Sequence, residues 1–234
     1  MFTQLPPIRV GYLFPFTVVK TLPDKDSFLV NISNTELFGM LPRDFTNRVY
    51  RVGETGWASI AEIRGAQILL SQKNIQYIRK ILDYVLNDAL VENNLKIKKI
   101  ALSYPYVKIV IDKFLESEND FEIPKPDKLH DIFKPYLNDD IMTEYLPNYK
   151  LNFVRFSLDI NECIKRLLIY EDFINKVVVL EELEEAMVFV TNGYAGQIIG
   201  PKGKNIVTTK KLIHSFFGDI KGTLEIKVKP IDMD

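Results

Sequence analysis

Residues 198–206 read Ile198-Ile199-Gly200-Pro201-Lys202-Gly203-Lys204-Asn205-Ile206, a Gly-x-x-Gly turn with two isoleucines before it and one after it. Neither glycine carries a Cβ that would hold a phosphodiester backbone away from the peptide, and both tolerate positive φ. A helix starting at Lys204 would aim its free N–H groups and the positive end of its dipole into the turn, which makes an anion seat. Pro201 has no N–H, so the seat depends on Lys202, Gly203 and the residues that follow. Lys202 and Lys204 add the charge that neutralises phosphate whatever the base sequence. The isoleucines at 198, 199 and 206 are expected to anchor two short helices and to floor a groove.

Taken alone, two glycines three apart also fit a plain corner between helices. The flanking order selects between these readings. Val188-Phe189-Val190 reads as a strand, Ala195–Ile199 as a short helix, and Lys204–Phe217 as a longer amphipathic helix ending at Gly218. Leu224-Glu225-Ile226-Lys227-Val228 then alternates as a strand with one buried face. This order predicts a KH module, whose Gly-x-x-Gly loop clamps about four nucleotides of a single strand. The expected RNA-binding residues are Ile199, Gly200, Pro201, Lys202, Gly203, Lys204 and Ile206, with Lys210 and Lys211 further along the helix.

The chain has a formal charge of −1, so any claim of nucleic-acid binding needs positive charge gathered locally. It is gathered from Gly200 to Lys229, where lysines 202, 204, 210, 211, 221, 227 and 229 stand against only Asp219 and Glu225. Glu181, Glu182, Glu184 and Glu185 cluster just upstream. For Lys221, Lys227 and Lys229 a solvated surface explains the charge as well as phosphate contact does.

Upstream of the turn, Asp159 is placed to cap a helix with Glu162 three residues on, and Ile160, Cys163, Ile164, Leu167 and Leu168 share one stripe. Strands at Lys176–Leu180 and Met187–Val190 follow, joined by an acidic turn. The order helix, strand, strand, helix, helix, strand is that of the bacterial, type II KH module. A second copy, about 85 residues earlier, runs from a helix at Asn74–Leu90 through strands at Leu95–Leu102 and Tyr106–Ile111, turning at Tyr104-Pro105. Helical stretches at Asp127–Phe133 and Asp139–Tyr145 then lead to a strand at Tyr149–Phe156. This copy is degenerate, because no glycine occurs between Gly65 and Gly193. Its loop reads Ile123-Pro124-Lys125-Pro126-Asp127-Lys128, stiffened by prolines, and is expected to serve packing, with phosphate contact at Lys125 and Lys128 as the lesser reading.

Residues 8–72 have another character. Short alternating segments at Arg9–Val18, Phe28–Ile32, Glu36–Leu41, Trp57–Ile63 and Ala66–Leu70 are broken by Pro23-Asp24-Lys25-Asp26 and Val52-Gly53-Glu54. Five such strands predict a small closed barrel. Gly39-Met40-Leu41-Pro42-Arg43-Asp44 followed by Tyr50-Arg51-Val52-Gly53 fits the ribosomal S-one type of OB-fold. Base stacking on Phe14, Phe16 or Phe28 is the functional reading of its aromatics, and core packing is the competing fate of at least two of them.

The whole order resembles the RNA-binding region of the bacterial transcription elongation and termination factor NusA, one S-one barrel followed by two KH modules. Arg64-Gly65-Ala66-Gln67-Ile68-Leu69-Leu70-Ser71 and Tyr77-Ile78-Arg79-Lys80-Ile81-Leu82 are similar to that family's passage from barrel to first KH helix. Leu151–Ser157 and Asp159–Ile164 resemble its entry into the second module, and Ile199–Ile206 completes the likeness. The resemblance implies binding of single-stranded RNA leaving RNA polymerase, with effects on pausing, termination and antitermination. The chain departs from the family at three points. It starts almost directly in the barrel, so no N-terminal polymerase-binding domain is expected, which weakens RNA polymerase or other transcription factors as partners. Its first KH module lacks the clamp. Ser71 is followed by Gln72, where the family usually has an arginine.

Other classes fit less well. His130 and His214 are isolated, Cys163 lies on an apolar stripe without a cysteine partner, and no Ser/His/Asp or paired-carboxylate spacing stands out, so no enzyme, metal or cofactor is expected. Residues 1–16 lack the pattern of a signal peptide and no apolar run reaches membrane-spanning length, so a cytoplasmic home is expected. The rival is a protein-interaction scaffold built from degenerate RNA-binding folds. The expected fold is therefore α+β and multidomain: an OB barrel over residues 1–72, a degenerate KH module over 73–156 and a KH module with the glycine turn over 157–234.

Overall fold

Period-two alternation builds the first part of the chain. In the computed structural model, which describes residues 8–32, 35–103, 105–114, 122–168, 170–180, 182, 184–218 and 224–231, five strands close into a barrel. They are β1 (Leu13–Leu22), β2 (Ser27–Ile32), β3 (Phe38–Pro42), β4 (Thr55–Arg64) and β5 (Gln67–Ser71), in the spatial order β1-β2-β3-β5-β4. All neighbours are antiparallel except β3 and β5. Phe14, Phe16 and Val18 on β1 and Phe28, Val30 and Ile32 on β2 alternate inward, and each is almost wholly buried. Tyr50 closes the interior edge-on to Phe16 and Phe28, with ring centroids 5.3 and 6.1 Å apart. This is an α+β chain whose barrel is consistent with an OB-like fold.

The described residues fall into two compact units, one within Met1–Asn87 and Leu137–Pro147, the other within Asp88–Tyr136 and Asn148–Asp234. With the barrel go α1 (Ile75–Val85), capped by the Asn74 side chain, and α4 (Asp139–Tyr145), capped by Asn138. The single helix expected over Asn74–Leu90 is instead two, α1 and α2 (Asn87–Glu92). The short polar side chains of Asn87 and Asp88, at the restart, favour helix ends over helix interiors.

The second unit holds two three-stranded sheets of one topology. In the first, β6 (Leu95–Ser103) and β7 (Tyr106–Lys113) form a hairpin, and β8 (Lys150–Arg155) returns parallel to β7. In the second, β9 (Ile174–Leu180) and β10 (Glu185–Thr191) form the hairpin, and β11 (Glu225–Ile231) lies parallel to β10. The helices of this unit include α3 (Pro126–Phe133), α5 (Ile160–Leu167), α6 (Ala195–Ile199) and α7 (Lys204–Phe216). Asp159 caps α5 by accepting from the Glu162 N–H at 2.8 Å, as the sequence spacing anticipates. Val110, Val154 and Phe156 join Ile164, Val188 and Ile213 in one hydrophobic core, so the two sheets share an interior. Both sheets lie within the second unit. Tyr104, Glu181 and Lys221, named above for turns and surface charge, lie outside the described residues.

Candidate functional site

The glycine turn joins α6 to α7 through backbone that few side chains accept. Gly200 sits at φ 74°, ψ 169°, Lys202 at φ 53°, ψ 28°, and Gly203 at φ 71°, ψ 12°. The helices are linked through Pro201–Gly203, a tight turn with left-handed Lys202 at its centre, and the Gly203 N–H donates to the Gly200 carbonyl at 3.0 Å. A Cβ on Gly200 would lie 3.0 Å from the Cβ of Asn205, so the helix start packs directly on this glycine. A Cβ on Gly203 would meet no atom within 4 Å, leaving open space before the turn. No side chain caps the N-terminus of α7, and Pro201, Lys202 and Lys204 are exposed around it.

The other expected residues divide. Ile199 is 36% exposed beside the turn, whereas Ile198 is fully buried and Ile206 packs on the core, so the three isoleucines do not together floor a groove. Lys211 is exposed on α7 and Lys210 half-buried. Lys227 is engaged on the sheet, 2.5 Å from Glu185 and 3.8 Å from Glu225, which raises its pKa chiefly through the hydrogen bond to Glu185. In the corresponding loop of the first sheet, Pro126 opens α3, and Asp127 and Asp131 line the same surface hollow as Lys125 and Lys128. Those carboxylates offset the charge that the two lysines supply.

The barrel corrects one expectation. Phe14, Phe16 and Phe28 are 1–2% exposed, so none is available for a base to stack upon. Their inward parity on β1 and β2 commits all three to the barrel interior. Among the described residues, the aromatics that this unit exposes are Tyr12, Phe38 on β3, Phe45, Trp57 on β4 and Tyr84 on α1. Gln72, where the family resemblance would place an arginine, is buried: it donates to the Tyr50 hydroxyl and the Trp57 carbonyl, both at 2.8 Å, and accepts from the Asn47 N–H.

Sequence reading missed what lies beneath the turn. A groove of about 820 Å³ is lined by Gly200, Pro201 and Lys204 together with Ala101, Ser103 and Tyr106 of the β6–β7 hairpin. Lys108 of β7 also lines it, though only 4% exposed. Its ammonium donates to the Leu167 carbonyl at 2.5 Å, to Asn205 Oδ1, and to Thr209 Oγ1 at 3.1 Å. Asn205 in turn donates from Nδ2 to the Ile198 carbonyl at 2.7 Å. Burial draws the Lys108 pKa down to about 7. The available signal was a lysine inside Val107-Lys108-Ile109-Val110-Ile111, a run apolar on both strand faces. Cys163 is also buried, which pushes its thiol up to about 11 and leaves it unreactive at neutral pH.

Among the described residues no group of histidine, cysteine or carboxylate side chains could hold a metal ion, and no helix is long and apolar enough to cross a membrane. No protein-family profile matches the chain, and no curated protein matches its sequence. Among solved structures it is similar to a chain in the complex of a/eIF2alpha, aDim2p and rRNA from Pyrococcus horikoshii OT3. The identity is 12% and the TM-score 0.26, over 38% of this chain and 64% of that one, less than two thirds of its length. It is also similar to APE1850, at 14% identity and TM-score 0.37, over 62% of this chain and 96% of that one.

Proposed function

We propose that this chain binds single-stranded RNA, with the Gly200–Gly203 turn clamping the sugar–phosphate backbone in the manner of a type II KH module. The observation that carries the reading is the turn itself: positive φ at Gly200, Lys202 and Gly203, open space before Gly203, and exposed Lys202 and Lys204 at an uncapped helix start. Phosphate would meet N–H groups and ammonium groups there without displacing any protein side chain. On this reading the β6–β8 module is a KH fold without its clamp. The role is a binding one, without catalysis, of the NusA type in transcription elongation, termination or antitermination. Any contact with RNA polymerase belongs to the same reading and rests on the sequence resemblance alone.

The test is a fluorescence anisotropy titration with unstructured RNA and DNA oligomers at two salt concentrations, using the wild type and the Pro201→Asp/Lys202→Asp double variant. Both positions are exposed, so the fold should persist while RNA binding is lost. Unchanged affinity in the double variant would overturn the clamp. Binding to protein partners that survives both the variant and high salt would favour the scaffold reading.

A further inference from the structure

The Lys108 ammonium reaches the glycine turn through one intermediary. Lys108 is on β7, in the module without a glycine turn, yet its three hydrogen-bond acceptors are on α5 and α7. One of them, Asn205, holds the Ile198 carbonyl at the end of α6 with its amide and packs against Gly200 with its Cβ. A single side chain therefore touches α6, the turn and the start of α7, and its remaining polar atom is held by Lys108. We propose that Lys108 is a positioning residue for the clamp, fixing the Gly200–Gly203 turn in its anion-binding shape through Asn205. This rests on the clamp reading above and adds a function for the module that has no clamp of its own.

The chemistry makes the hold depend on charge. An ammonium has three donors and meets three oxygen acceptors, and a charge-assisted bond to Asn205 is roughly twice as strong as a neutral one. A neutral amine keeps two donors, and the Thr209 hydroxyl can turn to meet its lone pair, so the grip relaxes without vanishing. Among the described residues, the titratable groups sharing the groove are Lys204 from α7, Tyr106 from β7 and Tyr170 from the segment after α5, and no carboxylate is among its lining residues. Lys165 and Arg166 flank Leu167 on α5, and Lys210 follows Thr209 on α7. Burial is the cause of the lowered Lys108 pKa.

The experiment follows RNA affinity by anisotropy from pH 6 to pH 8.5 in the wild type, Lys108→Met and Pro201→Asp/Lys202→Asp, with His214→Gln and His130→Gln as controls. The wild type should weaken by roughly threefold to tenfold across the range. Lys108→Met should bind about tenfold more weakly at pH 6 with a flat profile. In the wild type alone, the Asn205 side-chain amide and the Lys202–Lys204 backbone amides should shift together in NMR spectra along the same pH curve. That measurement decides the matter even where Lys108→Met does not fold. A flat wild-type profile with unmoved turn amides would overturn the proposal, as would its abolition by His214→Gln or His130→Gln. Wild-type-like binding and pH dependence in Lys108→Met, while the double variant loses RNA, would remove Lys108 but leave the clamp. Binding retained in the double variant would remove both.

Discussion

Gly200 and Asn205 are in contact at the limit of backbone packing, since a Cβ on the glycine would come within 3.0 Å of the asparagine Cβ. Gly200 also lies at φ 74°, ψ 169°, a region that is essentially reserved for glycine. The two glycines of the turn are thus glycine for different reasons, because Gly203 is left-handed with nothing near its missing Cβ.

Gly200→Ala should consequently cost more than Gly203→Ala. Strain plus crowding predicts a loss of about 2–3 kcal/mol for Gly200→Ala, against about 1 kcal/mol for Gly203→Ala, where only left-handed backbone strain applies. Urea unfolding of both variants checks the order. Equal losses would mean that Asn205 gives way.

If the proposed clamp holds RNA, binding should weaken linearly in log–log form as salt rises. Each clamp lysine that neutralises a phosphate contributes about 0.7 to that slope for a single strand. Lys202→Ala should reduce the slope by about this amount, whereas Lys227→Ala, already engaged by Glu185, should leave it nearly unchanged. Titrations at four salt concentrations separate the two.

Phe16→Ala should destabilise the protein by about 3–5 kcal/mol, since it empties a ring from the barrel interior. The same applies to Phe14 and Phe28. A variant that kept full stability but lost RNA affinity would restore the stacking role that burial denies these rings.

Stability should rise with pH on account of Lys108. Its folded pKa is about 7 against an ordinary 10.5, so between these values the unfolded chain binds a proton that the folded chain has released. The contribution is flat below about pH 7 and grows toward pH 10.5; Lys108→Met should lack that rise, which therefore appears in the wild-type-minus-variant difference. Denaturant midpoints between pH 6 and pH 9 provide the measurement. Stability and the proposed RNA affinity would then move in opposite directions with pH, as expected of a buried ammonium retained for what it holds.

Much of the fold was legible in the sequence because local rules act within a few residues. Period-two alternation located four of the barrel strands closely and placed the first strand four residues too early, at Arg9–Val18 for Leu13–Leu22; Asp159 with Glu162 marked the start of α5, and Ala195–Ile199 was bounded as the helix that forms. The Asn74–Leu90 stretch was harder, because whether a helix bridges Asn87-Asp88 depends on what the two halves pack against.

What the sequence determined by itself is the glycine turn, since two missing side chains permit positive φ and leave open backbone beside the lysines. Which rings face inward, that Ile198 belongs to the core, and that Lys108 reaches Asn205 across 97 residues were decided only by tertiary structure. Burial and long-range hydrogen bonding depend on which surfaces meet, and no spacing along the chain encodes that meeting. The lysine on β7 reads as an ordinary strand residue until α5 and α7 close over it and leave its charge three oxygens in place of water.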